Sequence, residues 1–165
     1  MEKSRTKVLA LTAVFAAVAV VGSVISFPVL GSKCSPVQHM VNILGAVFLG
    51  PLWNTACAFI ASVIRNLTGL GTPLAFPGSM CGALLAALAY KYCRKLPAAW
   101  LGELIGTGII GGMLSYPVAA FILGSQTAAL FTFVVPFLVS SGGGTVIAAA
   151  VTLAMKRFGL ISEEK

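Results

Sequence analysis

The sequence is short of charge. Only 9% of its 165 residues are Asp, Glu, Lys or Arg, whereas a soluble domain carries about a quarter. So little charge cannot cover a water-exposed surface, and a soluble globular domain is excluded. Acids are the scarcer sign, four against eleven Lys and Arg. No GxxxxGK[ST] loop is present, so the chain does not hydrolyse ATP by itself. No GxSxG, HExxH or paired-carboxylate pattern points to an enzyme. There is no ladder of intramembrane charges of the kind a proton pump needs. Cys34, Cys57, Cys81 and Cys93 form no CxxC pair, so neither a zinc site nor a disulfide framework is expected. No cofactor is expected either. The net charge of +7 sits at the chain ends and in one loop. It has no aromatic interleaving, which argues against nucleic acid.

What is there is apolar. Hydrophobic residues make up 58% of the chain, and mean hydropathy is +1.00. These values predict an integral membrane protein, one transmembrane domain over residues 1–165. The first apolar run is about 20 residues, longer than a signal core, so it is expected to remain as a helix. Six segments follow from the Pro and Gly breaks: about Lys7 to Ser26, Pro36 to Gly50, Pro51 to Asn66, Pro77 to Cys93, Pro97 to Leu123, and Thr127 to Met155. The expected fold is an all-α bundle of six transmembrane helices. The second and third segments are short for a span, so their outer ends are expected to stop early and line a recess. All the basic residues except Lys33 and Arg65 fall on the side of the chain ends. The positive-inside rule then makes both termini cytoplasmic. Small-residue stretches such as GTGIIGG predict close helix packing.

Polar side chains collect toward the outer half of this layout. In SPVQHMVN, Gln38, His39 and Asn42 share one face of the second segment. The third segment delivers Arg65 and Asn66. The loop LTGLGTPLAF brings Thr72 and Phe76, and the fourth segment opens near Ser79. Tyr116 stands with Ser115 in the fifth, and Ser140 and Ser141 in the sixth. Phe27, Trp53, Phe76 and Tyr116 are candidate walls of a polar and aromatic pocket open to the exterior, although Trp53, near the inner turn, better suits an interfacial anchor. Each residue also has a plainer role open to it. His39 can bond a carbonyl, Asn42 can join helices, and Arg65 can snorkel to headgroups. Glu103 is the one acid inside a segment. An intramembrane acid is a functional candidate, and a proton relay is one option. Its place two turns from the cytoplasmic end favours instead an interfacial Lys or Arg partner, or a partner protein. A small bundle with a pocket and no energy source reads as a binding subunit. A self-sufficient carrier or channel would need an inner polar pathway. A membrane enzyme using His39 would need an orienting acid, and none lies nearby in sequence.

The segments CSPVQHMVN and RNLTGLGTPLAFPGSM, with the chain's size and six-segment layout, resemble the substrate-binding S-components of bacterial energy-coupling-factor transporters. Among these they are most similar to the branch for hydroxyethylthiazole, the thiazole precursor of thiamine. The resemblance implies a six-helix fold in the cell membrane, with a pocket near the outer face under the first and third outer loops. It implies a small heteroaromatic substrate. It also implies as partners a membrane coupling protein and two cytoplasmic ATPases. Small residues four apart on the first helix contact the coupling protein in that family, and Ala13 and Ala17 fit the spacing. Another small vitamin remains the alternative substrate. The expected substrate-binding set, taken from the polar map, is Gln38, His39, Asn42, Arg65, Asn66, Thr72, Phe76, Ser79 and Tyr116.

Overall fold

Proline and glycine set where the helices start and turn. The computed structural model describes residues 5–30 and 32–161, and among these there are six helices. Helix α1 spans Arg5–Gly22. A small hairpin follows, with strand β1 (Phe27–Val29) antiparallel to β2 (Ser32–Cys34) and Phe27 opposite Cys34. Then come α2 (Pro36–Phe48), α3 (Pro51–Leu67) and α4 (Ala75–Cys93). Helix α5 runs unbroken over Leu96–Ile122, and α6 covers Val134–Arg157. Short connections reverse the direction at each step. The starts of α2, α4 and α6 therefore gather at the hairpin end, with the ends of α1, α3 and α5.

The structure differs from the sequence reading at two places on this map. The hairpin was not expected, because three-residue strands are too short to show a period. Helix α6 begins at Val134 rather than near Thr127. Pro136 lacks an N–H, which costs least in a first turn, so it favours a start close before it.

The burial pattern is inverted relative to a soluble protein. Gln38, Asn42, Asn54, Arg65 and Glu103 are all buried, while Val21, Leu52, Phe121 and Val146 are each more than 70% exposed. Lipid, not water, suits such a surface. Helices α1, α5 and α6 are each long and apolar enough to cross a membrane. Helices α2 and α3 have 13 and 17 residues. At 1.5 Å per residue they reach only about 20 and 25 Å, short of a hydrocarbon core about 30 Å thick.

Glycine brings α4 and α5 together. A Cβ on Gly106 would lie 2.8 Å from Gly82 Cα, and one on Gly111 would lie 2.7 Å from Gly78 Cα. Gly102 presses on Ala86 in the same way. The step from 102 to 106 is four residues, but the step from 106 to 111 is five. Leu104–Gly111 is π-helical, and its wider turn keeps Gly111 on the α4 face.

Candidate functional site

The polar side chains of α2 begin in its first turn. Pro36 opens the helix, and Gln38, His39 and Asn42 follow with one, three and four residue offsets that hold them on the inner face. All three are buried. Because α2 is short, this turn lies well inside the bundle rather than at its surface.

Helix α5 meets that turn with Glu103, which is fully buried. Three donors converge on its Oε1: the His39 ring at Nδ1 (2.8 Å), Asn42 Nδ2 (3.0 Å) and the Thr107 hydroxyl (2.8 Å). Oε2 of the same carboxyl group is buried without a partner. The other ring nitrogen of His39, Nε2, lies 3.0 Å from the Ser140 hydroxyl. Ser140 accepts in turn from the Ser35 backbone N–H at 2.9 Å. Helices α2, α5 and α6 and the residue after β2 thus fix one imidazole. This corrects the sequence reading of Glu103, which placed it near the cytoplasmic interface with a basic or protein partner. Its partner is His39, 64 residues away in the chain.

The network continues sideways to a cation. Asn42 Oδ1 accepts from Gln38 Nε2 at 3.2 Å, and Gln38 Oε1 accepts from Arg65 Nη1 at 3.2 Å. Every N–H in this row points from the guanidinium toward the carboxylate. Asn42 also donates to the Ser79 carbonyl. Below it, Asn54 donates to the carbonyls of Asn42 and Ala83 and so ties α2, α3 and α4 together.

Above this floor lies a recess at the hairpin end. Its polar lining is Ser32, Lys33, Ser35, Gln38, His39, Arg65, Thr72, Ser79, Thr107 and Ser140. Gly71, Leu74, Ala75, Gly78 and Phe137 complete the walls. The free space is about 480 Å³ with the open mouth included, and the centre of a water molecule can roam over only about 40 Å³ of it. The recess is therefore narrow, and a flat ring would touch both walls. The loop after α3 folds back over it, with Gly71 N–H donating to the Arg65 carbonyl at 2.9 Å. Asn66 holds that loop by donating to the carbonyls of Ser62 and Thr72.

Of the expected residues, Gln38, His39, Arg65, Thr72 and Ser79 line the recess together. Asn42 and Asn66 lie behind it, holding the floor and the loop. Phe76 stacks on Phe59 with ring centroids 5.8 Å apart, and Tyr116 is outside the lining. Phe27 is exposed, and Trp53 packs among α1, α2 and α3. The aromatic wall is Phe137, which sequence reasoning did not single out. Its signal was Pro136, which marks the start of α6 and so its place beside the hairpin. Ser32, Ser35 and Thr107 were also missed. Arg65 is 3% exposed and does not snorkel.

The chain matches the model of a known family, described as thiamine-precursor transporter protein (ThiW), over residues 9–158. The chain belongs to the thiamine-precursor transporter family. This member is a multi-pass protein of the cell membrane and a transporter, not an enzyme. Its fold is that of a solved structure, the S component of a bacterial ECF transporter, with a TM-score of 0.77. Identity is 18%, over 94% of this chain and 98% of that one. No curated protein matches the chain. The order Ser140–His39–Glu103 has the connectivity of a hydrolase triad. In this transporter it sits mid-helix, and the Ser140 N–H lies within α6 rather than facing the recess as an oxyanion donor.

Proposed function

We propose that the chain is the substrate-binding subunit of an energy-coupling-factor transporter, and that its substrate is a thiamine precursor built on the hydroxyethylthiazole ring. The observation that carries the reading is the narrow recess over the Glu103–His39–Ser140 floor, in a family member with no nucleotide-binding loop. Phe137 offers a ring face to a heteroaromatic compound. Ser140, Gln38 and Thr72 offer hydrogen-bonding atoms to its ring nitrogen and hydroxyl, and His39, held at both ring nitrogens, orients the Ser140 hydroxyl. Asn42 and Glu103 position those atoms from behind.

The recess opens to the exterior in this reading. Arg5, Lys7, Lys91, Arg94, Lys95, Lys156 and Arg157 are exposed at the opposite end, which the positive-inside rule puts in the cytoplasm. Energy comes from a membrane coupling protein and two cytoplasmic ATPases. Ala13 and Ala17 are exposed on α1, which packs against α2 and α3 and leaves its other side free. That side is the coupling-protein face.

Equilibrium binding to purified protein tests the substrate. Hydroxyethylthiazole compounds should bind well above thiamine and the pyrimidine precursor. Preference for thiamine or the pyrimidine would move the assignment to another vitamin. Uptake by the chain alone in liposomes would favour a self-sufficient carrier.

A further inference from the structure

Among the described residues, the buried cation of the recess has no counter-ion in contact. Arg65 is 3% exposed, yet among these residues only Nη1 of its guanidinium nitrogens has an acceptor, the neutral amide of Gln38. Its Nε is buried with no partner. Two amides, Gln38 and Asn42, separate it from Glu103, and the oxygen of Glu103 that faces them already accepts three bonds. Among the described residues, no carboxylate oxygen lies within 4.0 Å of an Arg or Lys nitrogen, and the one carboxylate contact of this kind is that of Glu103 with His39 Nδ1. A buried charge without a partner is strongly unfavourable, so an anion from outside the chain has reason to sit there.

The surroundings of Arg65 fit the same ligand. Lys33 also lines the recess, held only by a long 3.5 Å contact to the Gly69 carbonyl. The Ser32 and Ser35 hydroxyls line it too, both buried and without partners. Among the described residues, no acidic side chain lines the recess. One corner therefore presents a guanidinium, an ammonium and two free hydroxyls.

We infer that this corner binds an oxyanion, so that the site takes its ring compound together with a phosphate or carboxylate group. The inference rests on the functional reading above and sharpens its substrate class. The guanidinium fork suits the two oxygens of such a group. The ring lies against Phe137 and the His39 floor, and the anion reaches Arg65 under the loop of Gly71 and Thr72.

The test is equilibrium binding to the purified full chain, with hydroxyethylthiazole, its phosphate ester, its ring carboxylate, and inorganic phosphate with and without the neutral alcohol. One anionic ring compound should bind about tenfold tighter than the alcohol, or more, the size of one charge-assisted hydrogen bond. Phosphate that raises the affinity for the neutral alcohol would support the corner with a free anion as its source. The preference should vanish in Arg65→Gln and be only partly kept in Arg65→Lys, which retains the charge but not the fork. A neutral alcohol that binds as tightly as both anionic forms, with no effect of phosphate, would overturn the inference on wild-type protein alone and leave the functional reading standing. Failure of every ring compound to bind would instead overturn the functional reading, and this inference with it.

Discussion

Gly82→Ala is the substitution whose effect is most tightly set by the packing. A Cβ there would lie 2.6 and 2.7 Å from the two carboxylate oxygens of Glu103, and against the Thr107 hydroxyl. Ordinary contact begins near 3.4 Å, so about 0.8 Å must be found for the carboxylate and more for the Thr107 hydroxyl, which is closer still. Helix α5 cannot simply retreat, because Gly106 rests on Gly82 and Gly111 on Gly78. Overpacking of this kind costs about 1–3 kcal/mol. For a chain of this size that is a fall in Tm of about 3–10 °C. Glu103 must also turn, which releases His39 from its acceptor, so substrate affinity should fall by about tenfold, one hydrogen bond to a charged group. Thermal unfolding in detergent and a binding titration measure both. Gly142→Ala is the control. No atom lies within 4 Å of its Cβ position, and alanine is favoured in a helix by about 0.8–1 kcal/mol. Its Tm should hold or rise, with binding unchanged. A Gly82→Ala protein with wild-type Tm and affinity would refute the packing of Glu103 described here.

Three further outcomes are expected. Glu103→Gln keeps an oxygen for the three donors but drops the charge, so binding should weaken by about tenfold while helix content by circular dichroism stays constant. Asn54→Leu breaks the two bonds that join α2 to α3 and α4, and should lower stability by about 1–2 kcal/mol in a denaturation series, with a smaller effect on affinity. Ala13→Leu and Ala17→Leu should leave substrate binding intact and reduce uptake by cells that contain the whole transporter.

Much of the bundle was legible because Pro and Gly punctuate it. Gly50-Pro51 gave the turn between α2 and α3, and the apolar runs gave the long helices. The polar face of α2 was legible because three hydrogen-bonding residues stand out in an apolar chain. The partner of His39 was not. Depth was read for Glu103 along its own helix, which put it near one surface, and for His39 along α2, which put it near the other. Helix α2 is only about 20 Å long, so its first turn already lies at mid-bundle, level with Glu103. The shortness of α2 was visible in the sequence, but not how its ends align with those of α5. Phe137 was hidden for a related reason. It lies on a helix whose start was placed too early, before Pro136.

His39 is the only histidine in the chain, so its ring can be watched alone. With imidazole nitrogens labelled with ¹⁵N, the purified protein should give one pair of ring signals. Addition of a hydroxyethylthiazole compound should shift the Nε2 signal in proportion to occupancy. Saturable binding that leaves both nitrogens unmoved would place the substrate elsewhere and contradict the account.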